Sequence, residues 1–181
     1  VNAAKTLEKP WILDPVFVEA SPPRLALARE LMAQSPNIMR CNATEWAALT
    51  ECPFDPDTVS DFARTQNIVT ALTGATDYVS DGLRMMKTDN GHAVMRQTTA
   101  MGCAGTALIA ALASVEDDAL MAAGCGLLIL GVTGEIAASR AQGPGSFVPA
   151  FLDTLAALTP DMLAKTARVT LTSTEHVRVT G

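Results

Sequence analysis

Aromatic side chains are scarce in this 181-residue chain, at 4% against 49% hydrophobic residues in all. The apolar content is therefore Ala, Leu, Val, Ile and Met, which suits tightly packed helices on a sheet. Histidine is scarcer still, with two residues, and none of the four cysteines (Cys41, Cys52, Cys103 and Cys125) belongs to a Cys-x-x-Cys pair. This argues against a zinc site, and the cysteine usage points to a reducing compartment, the cytoplasm. There is no basic run and the net charge is −6, which disfavours nucleic acid and acidic membranes as partners. Residues 102–115 and 119–134 lack charge, but both runs fall short of the roughly 18 to 20 residues that a membrane span needs. Glu116, Asp117 and Asp118 separate them, so two helices buried against a sheet are expected. Residues 1–9 are polar and helical in character, unlike a signal peptide. No internal repeat or linker is visible, and the length suffices for one domain with a sizeable core.

The most informative stretch is Thr98-Thr99-Ala100-Met101-Gly102-Cys103-Ala104-Gly105-Thr106-Ala107. A loop of small and polar residues runs straight into an apolar helix over 104–115. The first amides of such a helix lack internal partners and carry partial positive charge, and Gly102 allows close approach to the backbone. An anion could therefore rest there. Cys103 stands at the helix start, where a thiol's pKa tends to fall. The alternative is a tight loop before a core helix, with Cys103 as a small buried hydrophobe.

Two acids stand at comparable positions. Lys9-Pro10-Trp11-Ile12-Leu13-Asp14-Pro15-Val16 reads as a short buried strand that ends at Asp14, where α/β folds place ligand chemistry. Asp14 could equally cap the turn that Pro15 begins. In Asn37-Ile38-Met39-Arg40-Cys41-Asn42-Ala43-Thr44-Glu45-Trp46 a strand leads into a helix at Asn42, with Glu45 placed for a capping box. A carboxylate there, beside a strand end bearing Asp14, could also hold a hydrated Mg²⁺. Further on, Ser21 should cap a packing helix and residues 67–74 should form a strand. Asp81-Gly82 should turn a hairpin, and Ser146 and Thr159 should cap two late helices. Four glycines between Gly124 and Gly134 lower helix propensity, so close packing must compensate.

These segments resemble the hydroxyethylthiazole kinases, members of the ribokinase-like kinases. Residues 9–16 are similar to the family's K-P-W-V-L-D-P-V, and Arg40 to Glu45 to its R-G-N-A-S-E. Thr73-Gly74 with Tyr78-Val79-Ser80-Asp81-Gly82, Asn90-Gly91-His92, Gly143-Pro144-Gly145-Ser146-Phe147 and Phe151-Leu152-Asp153 match as well. The resemblance implies a three-layer α/β, ribokinase-like fold with a mostly parallel sheet. It places the kinase domain at 1–168, as the C-terminal part of the family's domain, and leaves 169–181 unassigned. It implies transfer of the γ-phosphoryl of ATP to the hydroxyl of 4-methyl-5-(2-hydroxyethyl)thiazole in thiamine salvage, with Mg²⁺, in a homotrimer. Cys103 would assist deprotonation, and the amides of Ala100, Met101 and Gly102 would form the anion hole. Arg40 and Thr73 would serve ATP, and Asp14 and Glu45 the metal. Two other readings stay open. Ala100, Met101 and Cys41 stand where the family has glycine or threonine, which fits an impaired or inactive homologue acting as a binding or packing module. The substrate could also be another small alcohol, such as hydroxymethylpyrimidine.

Overall fold

The structure, a computed structural model, describes residues 1–173. Helix α1 (Asn2–Thr6) precedes strand β1 (Ile12–Leu13), α2 (Pro22–Met32), β2 (Ile38–Asn42), α3 (Ala43–Thr50) and α4 (Pro56–Gln66). Strands β3 (Val69–Thr73), β4 (Asp77–Ser80) and β5 (Arg84–Thr88) follow without an intervening helix. Helices α5 (Met101–Ala113), α6 (Ala119–Arg140), α7 (Pro144–Ala157) and α8 (Pro160–Thr166) then lead to β6 (Val169–Ser173). The strands form one sheet in chain order, β1 to β6.

The three-layer α/β architecture is the expected one, but the sheet is mixed rather than mostly parallel. β1, β2 and β3 run parallel, whereas β3–β4, β4–β5 and β5–β6 are antiparallel. Three residues separate β3 from β4, far too few for the crossover that a parallel pair requires. The expected hairpin at Asp81-Gly82 makes the second antiparallel pair, with Asp81 Oδ1 accepting the N–H groups of Leu83 and Arg84. The third comes from the segment left unassigned: Val169–Ser173 pairs with β5 as an edge strand. Residues 174–181 of that segment lie outside the described residues.

Alternation along the strands divides the core. Leu13, Met39, Cys41 and Leu72 face α2, α3 and α4, together with Trp46 and Val59. Ile38, Val69, Ala71 and Val79 face the other way, against Ile109 of α5 and Leu120, Ala123 and Leu127 of α6. A third cluster, with Val94, Leu130, Phe147 and Phe151, joins α6 to α7. The capping box at Asn42 forms as expected, with Asn42 Oδ1 accepting from Thr44 and Glu45 N–H and Glu45 Oε2 accepting from Asn42 N–H. Thr159 caps α8. Ser146 is not a cap: α7 starts earlier, at Pro144 after Gly143, and Ser146 Oγ instead accepts the Gln142 N–H.

Helix α6 is longer than its uncharged stretch, because it continues through Glu135 to Arg140. Its 22 residues are long and apolar enough to cross a membrane, yet 67% of the most apolar window is buried inside this molecule. It packs on α5, α7 and three strands, as a central core helix does. Its glycines permit the approach. A Cβ at Gly126 would stand 2.8 Å from Ile109 Cγ1 and 3.0 Å from Ile109 backbone atoms, so α5 and α6 cross here almost backbone to backbone. Gly126→Ala should therefore destabilise the fold by about 1–3 kcal/mol, the usual range for overpacking, despite alanine's better helix propensity. Gly145→Ala in α7 meets nothing within 4 Å and should be neutral or stabilising by up to about 1 kcal/mol. Urea unfolding of the two variants gives the comparison.

Candidate functional site

Strand periodicity assembles the site. Ile12 pairs with Ile38, and Asn42 with Thr73, in the parallel β1–β2–β3 unit. Ile12 and Ile38 both pack towards the α5–α6 side, so alternation carries Asp14 and Arg40 to that same face, with Thr73 beside them. Parallel strands end together, and α5 begins above those ends. The arrangement brings Asp14, Arg40, Thr73 and Gly102 into one cluster.

Arg40 is the centre of it. Its Nη2 donates to Thr73 Oγ1 at 2.8 Å, and its Nη1 lies 3.6 Å from Asp14 Oδ1. The two charged side chains are 12% and 13% exposed, so the pair is poorly screened by water. The guanidinium packs against the first turn of α5: a Cβ at Gly102 would stand 2.7 Å from Nη1. The close approach that Gly102 permits is thus occupied by Arg40. Asp14 Oδ2 accepts from Thr106 Oγ1 at 2.7 Å, while Oδ1 is buried and has no hydrogen-bond partner.

Ala100 is the N-cap of α5 and adopts φ 70°, ψ 8°. The left-handed conformation that glycine favours is therefore reached with a Cβ present, at a cost of about 1–2 kcal/mol. The first helical bond runs from Ala104 N–H to the Ala100 carbonyl at 2.9 Å. The amides of Met101, Gly102 and Cys103 precede it and have no helical carbonyl to bond. The Met101 side chain is partly buried and packs against the Val94–Phe147 cluster. Cys103 is exposed. Asp14, Cys103 and Thr106 line one cleft of about 380 Å³ with Pro10, Ile12 and the alanines of α5.

Glu45 is placed differently. It is 4% exposed, and its two oxygens accept backbone amides, Oε1 from Phe17 at 3.2 Å and Oε2 from Asn42 at 2.9 Å. It secures the turn after Asp14 and does not line the cleft. No group of three or more His, Cys, Asp or Glu suited to a metal occurs among the described residues. A magnesium ion needs less from the protein, one or two carboxylate oxygens with water and phosphate completing its shell. The unpartnered Oδ1 of Asp14 fits that demand. Cys41, the other cysteine near these charges, is buried, and burial together with the Glu45 carboxylate pushes its thiol well up; it is an inert core residue.

Two residues at the site were not singled out by sequence reasoning. Thr106 could have been found from its spacing, one helical turn after Cys103. Asp77 opens β4 and accepts the Gly74 N–H at 2.9 Å. Burial pushes its carboxyl up to about 6, against the pull of that N–H and of the Arg40 charge. Only the packed structure shows this burial.

Comparison with known proteins follows the same lines. A model of the hydroxyethylthiazole kinase family matches residues 1–161. A hydroxyethylthiazole kinase of Granulibacter bethesdensis is 44% identical over 179 residues, covering 92% of this chain and 65% of that protein. A probable hydroxyethylthiazole kinase of Agrobacterium fabrum is 41% identical over 169 residues, covering 93% and 63%. The chain thus spans just under two thirds of the length of these curated relatives. The solved structure of a hydroxyethylthiazole kinase protein from Pyrococcus horikoshii superposes with a TM-score of 0.87 at 31% identity, covering 93% of this chain and 68% of that one. The pyridoxal kinase of Staphylococcus aureus, at 16% identity and a TM-score of 0.60, shares the ribokinase-like fold.

Ala100→Gly should stabilise the chain by about 0.5–1 kcal/mol, the left-handed strain relieved less the added freedom of the unfolded chain, as read by urea unfolding. Asp77 gives a pH signature. Its folded value of about 6 lies above the ordinary 3.8, so its contribution is fully present below pH 3.8 and is lost as pH rises through 6. Asp77→Asn keeps an acceptor for Gly74 and should abolish that loss, raising stability at pH 7.5 by about 2–3 kcal/mol relative to the parent, with no gain at pH 4. Thermal unfolding at the two pH values measures the difference.

Proposed function

The chain belongs to the hydroxyethylthiazole kinase family, and from that premise we propose that its protein phosphorylates 4-methyl-5-(2-hydroxyethyl)thiazole with ATP, in thiamine salvage. The observation that carries this reading is the meeting of Asp14, Arg40 and Thr73 with the first turn of α5, beside the cleft that holds Cys103. Phosphoryl transfer asks a protein mainly for positioning and for charge aimed at the moving group. The amides of Met101 and Gly102 receive the transferring phosphoryl, joined by that of Cys103 in place of Ala100, which is the N-cap of α5. Arg40 and Thr73 hold the nucleotide phosphates. Cys103 takes the proton of the substrate hydroxyl as its oxygen bonds to the γ-phosphorus and the bond to the ADP oxygen breaks. Asp14 would hold the metal, and Glu45 would reach it only through water, since its oxygens already serve Phe17 and Asn42. When bound, Mg²⁺ neutralises charge on the β- and γ-phosphates.

The resemblance implies a homotrimer, and we extend that assembly to the whole protein. Exposed Leu83, Leu152 and Leu171 are surface that an assembly could cover. We place the protein in the cytoplasm, where cysteines stay reduced. The departures in the loop support an active enzyme better than an inert homologue: Ala100 reaches the left-handed conformation, and the Met101 side chain packs against the Val94–Phe147 cluster.

The test is ADP release dependent on the thiazole alcohol. The parent should turn over the thiazole alcohol in preference to hydroxymethylpyrimidine, and Cys103→Ala should lower kcat about 10²–10⁴-fold, the usual worth of a positioned general base, with little change in the KM for ATP. ATP turnover indifferent to the thiazole alcohol would overturn the reading of the substrate. An unchanged kcat in Cys103→Ala would remove the role of the thiol.

A further inference from the structure

Thr106 belongs to none of the phosphate-facing groups, yet it governs the geometry of one of them. Its hydroxyl lies 2.7 Å from Asp14 Oδ2 and 3.3 Å from the Gly102 carbonyl oxygen. A hydroxyl has one proton to donate, and the shorter contact, to an anion, takes it. The bond ties the second turn of α5 to the end of β1, residues 92 apart in the chain. It also sets the plane of a carboxylate whose terminal torsion is otherwise soft. Asp14 Oδ1 is left facing Arg40 Nη1 at 3.6 Å, buried and without a hydrogen bond. An arginine and a carboxylate so close would ordinarily close into two parallel bonds. Here they do not, because Thr106 engages Oδ2 and Thr73 engages Nη2.

We propose that Thr106 is a positioning residue that keeps Asp14 from locking Arg40 into a two-bond ion pair, so that the guanidinium can turn to a nucleotide phosphate. The proposal rests on the reading of Arg40 as a nucleotide-binding residue. Thr106→Val keeps the shape and removes the hydroxyl. Oδ2 then loses its partner, the carboxylate rotates, and Arg40 is held by both oxygens. Bidentate recognition of phosphate by the same guanidinium is then in direct competition with Asp14.

The experiment is calorimetric titration of the chain with ATP in EDTA, so that no metal enters. Thr106→Val should weaken ATP binding about tenfold. Thr106→Ser, which restores the hydroxyl, should stay within about twofold of the parent. In an Asp14→Asn background the effect of Thr106→Val should vanish, because a neutral side chain cannot lock the arginine; a merely structural role for Thr106 would persist there. Parental affinity in Thr106→Val, or an undiminished loss in the Asp14→Asn background, overturns the proposal. If Arg40→Met leaves ATP affinity unchanged, the nucleotide role of Arg40 fails, and the crystal structure of Thr106→Val decides the positioning by itself. Two short bonds between Asp14 and Arg40 support it, and a single contact near 3.6 Å overturns it.

Discussion

The Arg40 guanidinium is the contact on which the site depends. It joins three strand ends to one helix start, through Asp14 just after β1, Thr73 on β3 and the bare backbone of α5 at Gly102. A cation against the N-terminal turn of a helix faces partial charge of its own sign. Asp14 offsets this, and the combination leaves guanidinium, hydroxyl and unbonded amides all disposed towards an anion. Each neighbour is constrained in turn. Gly102 can carry no Cβ without moving Arg40, and Asp14 has one oxygen held by Thr106.

The cluster holds its geometry because the layers around it are rigid. The sheet is covered on both faces, by α2, α3 and α4 on one side and α5 and α6 on the other. The glycines of α6 let α5 come within backbone distance, so the start of α5 is set by a close-packed crossing and not by a flexible loop. The same helix would pass for a membrane span by length and composition, but its neighbours bury two thirds of the relevant window. Within this frame two cysteines take opposite characters. Cys41 is enclosed, its thiol pushed up by burial, whereas Cys103 stands exposed at the cleft.

Much of this could be read from local pattern. Asn42 and Glu45 are three residues apart, the spacing of a capping box, and the box is formed. Asp81-Gly82 turns the hairpin, and the apolar run before Asp14 makes a strand. The sheet's mixed character was less legible, since it depends on how few residues join β3 to β4 and on β6 returning to pair with β5. Glu45 shows the limit of a motif. Its two roles, cap and metal ligand, call for the same residue at the same place, and only the distances to Phe17 and Asn42 show that its oxygens are already engaged.

What the sequence by itself determined is therefore local: element types, the capped starts of α3 and α8, and the small residues at the head of α5, whereas Ser21 at the start of α2 makes no side-chain cap bond. These follow from periodicity and backbone preference over a few neighbouring positions. The tertiary structure decided everything that spans the chain. It packed Met101 against the Val94–Phe147 cluster and found Ala100 a left-handed conformation. It buried Asp77 enough to push its carboxyl up, and it set Thr106 against Asp14 across 92 residues. Burial and long-range hydrogen bonds are properties of packed layers, and the pattern of any single segment does not contain them.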